Sequence, residues 1–296
     1  MTARSQKFGL SCAISTPIRP DGGPDLERLV RHARWVLANG ADSVTLFGTT
    51  GEGASLGLAA RQAMIEALLE AKIPNKSINI GIASASLEEA VAQARQGKAA
   101  GLGHLLVAPP FYFKGVSDDG LFAWFSRFIG LLGGDILPII LYHIPSVTAV
   151  PVSSDLVGRL KRVFPDVIAG VKDSSGSWET QARFLADHAG DLAILVGDER
   201  QLARSIALGG QGTICGLANF LPGLLRPVVH AGTDDPRIAQ VVEIVCSYPV
   251  LPAVKALVAG VHGDAGYLAM LPPLEALAPD QIIALTDAVA AVTMSA

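Results

Sequence analysis

The feature that most constrains this chain is an alternation that runs along most of its length. Eight short apolar runs read as strands: Phe8–Thr16, Ser43–Gly48, Ile78–Ala83, His104–Ala108, Pro138–His143, Val167–Lys172, Ala193–Gly197 and Gly212–Leu217. The segments between them carry the 3.6-residue period of amphipathic helices. In the first, Asp25–Asn39, residues Leu26, Leu29, Val30, Ala33, Val36 and Leu37 fall on one side. Asp25 is placed to cap its start and Gly40 to end it in the left-handed region. Further helices are predicted near Leu58–Lys72, Leu87–Ala100, Asp118–Leu132, Ser153–Val163, Trp178–His188, Glu199–Leu208 and Phe220–Ala231. Eight strands in strict alternation with eight helices predict an α/β fold, a closed (β/α)8 TIM barrel, in preference to an open doubly wound sheet.

Residues 1–232 account for the barrel. Residues 233–296 read as a helical extension, with helices near Pro236–Ser247, Leu251–Gly263 and Pro279–Met294. No linker separates the two, so the extension is expected to pack on the same domain or on another subunit. With 50% hydrophobic and 17% charged residues the chain falls in the soluble globular class. A net charge of −4, with no basic run longer than two residues, gives no footprint for nucleic acid or an anionic membrane. No stretch approaches the roughly 18 uninterrupted apolar residues of a membrane helix. The N-terminus lacks the charged-then-apolar layout of a signal peptide. Cys12, Cys215 and Cys246 are far apart, odd in number and form no CxxC pair, which suits a reducing cytoplasm.

In a barrel of this kind the loops at the carboxyl ends of the strands form the active face. The run Val167–Val171 reads as a buried parallel strand, and Lys172 stands at its end. Burial disfavours an ammonium, and a neutral amine attacks carbonyls to form a Schiff base. The alternative is a lysine that reaches outward to pair with Asp173. Tyr142, at the end of the fifth strand, offers a phenol for proton relay, or is a core tyrosine with a satisfied hydroxyl. After the second strand, Gly48-Thr49-Thr50-Gly51-Glu52-Gly53 is either a polar turn or a cradle for a carboxylate or phosphate. It is neither a Walker motif nor a dinucleotide fingerprint. After the seventh strand, Asp198 and Glu199 either bind substrate hydroxyls or cap the next helix. In the eighth, Ile214 sits among small residues that leave room for a ligand. The six histidines show no HxH or HExxH spacing, so the reading is metal-free and cofactor-free.

These residues, taken in order, resemble the dihydrodipicolinate synthase / N-acetylneuraminate lyase family of class I, pyruvate-type aldolases. Gly48-Thr49-Thr50-Gly51-Glu52 looks like its GxxGE signature and Tyr142-His143-Ile144-Pro145 like its Y-N-x-P element, with His143 in place of Asn. Gly170-Val171-Lys172-Asp173 looks like its Schiff-base segment. Gly197-Asp198 and Leu251-Pro252-Ala253-Val254-Lys255 also fit. The resemblance implies that Lys172 forms an imine with pyruvate or another 2-keto acid and that Tyr142 shuttles protons. Thr49, Thr50 and Gly51 would hold the carboxylate, with Thr50 hydrogen-bonded toward Tyr142. Ile214 and Gly197 would lie near the bound acid, and Glu52 would tie down its loop. It implies an aldehyde as second partner, a homotetramer built as a dimer of dimers, and a partner-subunit tyrosine from the loop after the fourth strand.

Three departures accompany the match. Val147 stands where synthases proper carry an Arg that helps bind the carboxylate of aspartate semialdehyde. Phe111 stands where the partner tyrosine belongs, with Tyr112 next to it. Leu58, Arg61 and Ala85 occupy the positions of a lysine feedback pocket. The function expected is therefore a Schiff-base aldolase or lyase of pyruvate and an aldehyde. The alternatives are 4-hydroxy-tetrahydrodipicolinate synthase proper, a 2-keto-3-deoxy sugar acid dehydratase using the same imine, or a non-catalytic binding barrel.

Overall fold

The computed structural model describes residues 7–294. Residues 1–6, part of the N-terminal stretch read for a leader, and residues 295–296 at the end of the extension lie outside the described residues. The strands and helices in chain order are β1 (Gly9–Ala13), α1 (Leu26–Ala38), β2 (Ser43–Leu46), α2 (Leu58–Glu70), β3 (Ile78–Ile82), α3 (Leu87–Ala99), β4 (Leu105–Val107), α4 (Asp118–Leu132), β5 (Ile139–His143), α5 (Pro145–Thr148), α6 (Ser154–Val163), β6 (Ile168–Asp173), α7 (Trp178–His188), β7 (Ala193–Val196), α8 (Leu202–Ala207), β8 (Gly212–Cys215), α9 (Pro222–Ala231), α10 (Pro236–Cys246), α11 (Val250–His262) and α12 (Pro279–Met294). The strands pair in parallel in sequence order, and β8 closes on β1 with Gly9 opposite Gly212. This is the (β/α)8 barrel that the alternation predicts.

Differences from the expected elements are local. Several strands are shorter than their apolar runs, because the flanking apolar residues leave the ladder at the barrel rims. Gly197 follows β7 rather than ending it, and Asp173 extends β6. The helix expected at Glu199–Leu208 is divided into a 3₁₀ turn, Glu199–Gln201, and α8. The single-turn α5 is an addition, with Pro145 in its first turn. Asp25 caps α1 by accepting from the Arg28 amide at 3.0 Å. Gly40 has φ +125°, positive but wider than the left-handed helical value expected of it.

Two apolar layers result. The larger lies between strands and helices. The smaller fills the barrel lumen with Ala13, Leu106, Ala108, Ile140, Tyr142, Ile144, Leu195 and Ile214, so the interior is packed rather than open. The extension is tied to the barrel by specific pairs. Arg28 of α1 donates to Asp264 at 2.9 Å, and Tyr267 donates its hydroxyl to the Arg28 carbonyl at 2.9 Å. Lys255 of α11 forms a buried ion pair with Glu52 in the loop after β2. Among the described residues no single helix is long and apolar enough to cross a membrane. α10 and α11 meet that test only as a pair bent by 117°, and their apolar faces are buried.

Candidate active site

Successive side chains on a strand point to opposite faces, and Cα partners in a parallel ladder share a face. Lys172 pairs with Tyr142 on one side and Leu195 on the other. Tyr142 and Leu195 are lumen residues, so the lysine is turned into the barrel near its carboxyl end. Asp173 pairs with His143 and Val196 and is turned the other way. The outward Lys172–Asp173 pair is therefore not formed. Asp173 instead accepts from the Ser175 amide at 2.8 Å, and burial raises its pKa above the usual carboxylate range. His143 likewise belongs to the packing. Its Nδ1 accepts from the Val152 amide at 2.9 Å, its ring meets Phe184 edge-on, and burial lowers its pKa to about 4.

The Lys172 amine donates to the Tyr142 hydroxyl at 3.2 Å, with both side chains almost wholly buried. Burial alone would raise the phenol's pKa. The charge and hydrogen bond of Lys172, with the hydroxyls of Thr49 and Ser174, outweigh that and hold it below its ordinary value. A phenol so supported gives up its proton more readily than free tyrosine. Ser174 carries no sequence signal of its own. It reaches Tyr142 because residue 197 is glycine: a Cβ there would stand 1.9 Å from the Ser174 hydroxyl oxygen. Gly197 thus acts by leaving space.

The loop after β2 owes its shape to Phe47, which takes φ +61°, an uncommon conformation for a side chain of this size. Its carbonyl is wedged against two glycines. A Cβ at Gly53 would lie 1.9 Å from that oxygen, and one at Gly81 2.4 Å from it. Arg61, fully buried in α2, lies 4.0 Å over the Phe47 ring and donates to the carbonyls of Gly53 and Gly81. Glu52 ties the loop to the extension through Lys255 and by accepting from the Leu271 amide at 2.7 Å. In this setting Thr49, not Thr50, meets the Tyr142 hydroxyl, at 3.5 Å. The Thr50 hydroxyl lies on the side of Gly216, after β8, 3.9 Å from where a Cβ there would stand. Gly51 spends its amide on the Gly48 carbonyl at 3.1 Å, and its own carbonyl accepts from Thr16.

A cavity of about 430 Å³ opens beside Tyr142, with Thr49 also in its wall; Lys172, Thr50 and Gly197 are not part of that wall. Phe111, Ile144, Val147, Leu251 and Leu274 form much of the remainder. Tyr112 is not part of this wall. It is 73% exposed and packs edge-on against Phe113. Ile214 lies deeper, in the lumen layer with Tyr142. Asp198 caps the 3₁₀ turn through the Arg200 amide, and Glu199 accepts from the Leu217 amide at 2.9 Å. Neither carboxylate faces the cavity. Leu251 begins a stretch singled out in the sequence, whereas Leu274 and Lys255's partner role carried no local signal, because both depend on how the extension folds back.

Comparison with known proteins places the chain. The sequence profile of the dihydrodipicolinate synthetase family matches residues 6–289. A protein of Chloroflexus aurantiacus described as an uncharacterized DapA-like lyase is 33% identical over 95% of each chain. The 4-hydroxy-tetrahydrodipicolinate synthase of Azoarcus sp. is 33% identical over 75% of this chain and 74% of its own. The crystal structure of dihydrodipicolinate synthase from Agrobacterium tumefaciens superposes with a TM-score of 0.94 at 49% identity, covering 97% of this chain and 99% of that one. The fold is also that of YagE from E. coli, determined in complex with pyruvate, at a TM-score of 0.87 and 21% identity over 96% and 98% of the two chains.

Proposed function

The chain belongs to the dihydrodipicolinate synthetase family, and on that premise we propose that it is a lysine Schiff-base aldolase or lyase that joins pyruvate to, or releases it from, an aldehyde. The observation that carries this reading is the Lys172 amine 3.2 Å from the Tyr142 hydroxyl, at the carboxyl end of the barrel. Lys172 adds to the keto carbon of pyruvate or another 2-keto acid. The resulting carbinolamine loses water, with Tyr142 passing the proton to the departing hydroxyl. Thr49 and Thr50 hold the carboxylate, Thr49 chiefly steadying the phenol beside it. The imine draws electrons from the adjacent carbon, whose proton passes back to the Tyr142 oxygen to give an enamine. That carbon attacks the aldehyde, Tyr142 protonates the new alkoxide, and water releases the product from Lys172. Cleavage is the same sequence reversed. Ile214 contributes a backbone contact near the bound acid, and Gly197 keeps Ser174 on the phenol.

The family match supports a lyase or aldolase, and the sites named here supply its parts. The acting form in this reading is a homotetramer, a dimer of dimers, whose partner subunits meet at the Phe111-Tyr112-Phe113 loop. Three free cysteines, two of them buried, suit a reducing cytoplasm. The test is borohydride trapping with pyruvate, followed by intact mass and peptide mapping. The expected result is one reduced adduct on Lys172 and none in Lys172→Ala. An adduct on a different lysine would overturn the assignment.

A further inference from the structure

The cavity beside Tyr142 has almost nothing polar to offer a second substrate away from the reacting atoms. The one carboxylate among its described lining residues, Glu52, is consumed by Lys255 and the Leu271 amide. Thr148 spends its hydroxyl on the Ile144 carbonyl at 3.0 Å and the Val150 amide at 3.2 Å. Among the described residues no lysine, arginine or histidine forms part of the wall. The rest is mainly apolar, with Phe111, Ile144, Val147, Leu251 and Leu274 among the residues around about 430 Å³ and Ser55 at the exposed rim. A carboxylate or polyol held there would lose water without gaining partners, whereas a hydrocarbon group would gain contact with the wall.

We propose that the aldehyde partner carries an apolar substituent, aromatic or branched aliphatic, seated against Phe111, Val147, Leu251 and Leu274. This rests on the Schiff-base reading above and names the substrate class it leaves open. The reaction is R–CHO plus pyruvate giving R–CHOH–CH2–CO–COO⁻. One carbon–carbon bond forms between the pyruvate methyl carbon and the aldehyde carbon. The proton lost from that methyl balances the one gained by the alkoxide, so no oxidant or further reactant is needed.

The experiment has two arms on the wild-type protein. The first is borohydride trapping with pyruvate alone. The second measures kcat/KM for condensation of pyruvate with benzaldehyde, 3-methylbutanal, glyceraldehyde and succinic semialdehyde, with products identified by mass. Benzaldehyde has no α-hydrogen, so pyruvate is its only possible carbon nucleophile. Trapping should succeed, and the two apolar aldehydes should exceed the two polar ones by at least about 10-fold, the scale on which an apolar pocket discriminates. Trapping with the order reversed, or with no aldehyde turned over, overturns the substrate class while leaving the Schiff base standing. Absence of trapping overturns both. Val147→Arg places a cation in the same wall. It should narrow or reverse the preference for benzaldehyde over succinic semialdehyde, again by about 10-fold. An unchanged ratio overturns the assignment of this cavity to the acceptor.

Discussion

At the scale of single residues, the proposed chemistry depends on which way consecutive side chains point. Tyr142 and Lys172 face the lumen because they are ladder partners, and His143 and Asp173 face out for the same reason. Tyr142→Phe keeps the ring that packs with Leu195 and Ile214 but removes the proton carrier. Turnover should fall by about 10²–10⁴-fold with thermal stability nearly unchanged. Equal turnover in the variant would make Tyr142 a packing residue. The two threonines separate by a similar argument. Thr49 contacts the phenol at 3.5 Å while the Thr50 hydroxyl lies on the side of Gly216. Thr49→Val should therefore act mainly on kcat, and Thr50→Val mainly on KM for the 2-keto acid. Each effect is expected at about 10–100-fold, if the lost bond served a charged group. Steady-state kinetics with pyruvate varied would show this, and identical profiles would refute the division of labour. The sequence singled out both threonines but assigned the phenol contact to the wrong one. The orientation is set by the positive φ of Phe47, by two glycines that admit its carbonyl, and by Arg61 beneath its ring. That arrangement involves residues from β2, β3 and α2, and no local pattern displays it.

At the scale of elements, the loops are held by buried polar groups whose partners come from distant segments. The Glu52–Lys255 pair joins the loop after β2 to α11, with both side chains sealed from solvent. Lys255→Met would leave Glu52 as an unpaired buried carboxylate. It should destabilise the protein by about 3–5 kcal/mol, and adding Glu52→Gln should recover much of that. Urea unfolding of the two single variants and the double variant measures the coupling, and a double variant as unstable as the sum of the singles would deny it. His143 clamps the end of β5 to the approach to α6 by accepting from the Val152 amide, so it must stay neutral at Nδ1. Its folded pKa is about 4, against about 6.5 unfolded. The unfolded chain thus binds the extra proton between those values. The stabilisation is complete above about pH 6.5 and is lost as pH falls toward 4, by roughly 3 kcal/mol at 1.36 kcal/mol per pKa unit. Asp173, whose carboxylate oxygen lies 4.0 Å from His143 Nε2, would soften the loss wherever it is ionised. His143→Asn should flatten the melting temperature against pH over that interval, and an equally steep curve would contradict the assignment. The strands were legible because apolar runs are needed to pass between two packed layers. The helices were legible through their 3.6-residue period. Their ends were less so: α5 begins at Pro145 directly after β5, and the split before α8 depends on how Asp198 caps the 3₁₀ turn.

At the scale of the whole molecule, the barrel is complete in a single chain, yet one feature of its surface is not. Tyr112 and Phe113 on the loop after β4 are 73% and 74% exposed, and their neighbour Phe111 enters the cavity wall. Two large aromatic side chains standing together in water mark a contact surface more often than an ordinary loop. Phe111, Tyr112 and Phe113 are consecutive in the sequence, which does not display which of them is inward. The inward choice of Phe111 follows from where the loop leaves β4, beside Tyr142 and Ile144. Phe111→Ala would disturb the cavity itself, so Tyr112→Ala with Phe113→Ala is the cleaner probe. Light scattering of the wild type at micromolar concentration should give a tetramer, and a monomer would refute the assembly. The double variant should shift the mass toward smaller species as the protein is diluted, while each chain keeps its melting cooperativity. Activity per chain should fall in step with the loss of assembly, because the loop that carries Phe111 would lose its support. Intact assembly with lost activity would instead make the loop a lid over its own cavity. Intact assembly with full activity would remove the aromatics from the interface altogether.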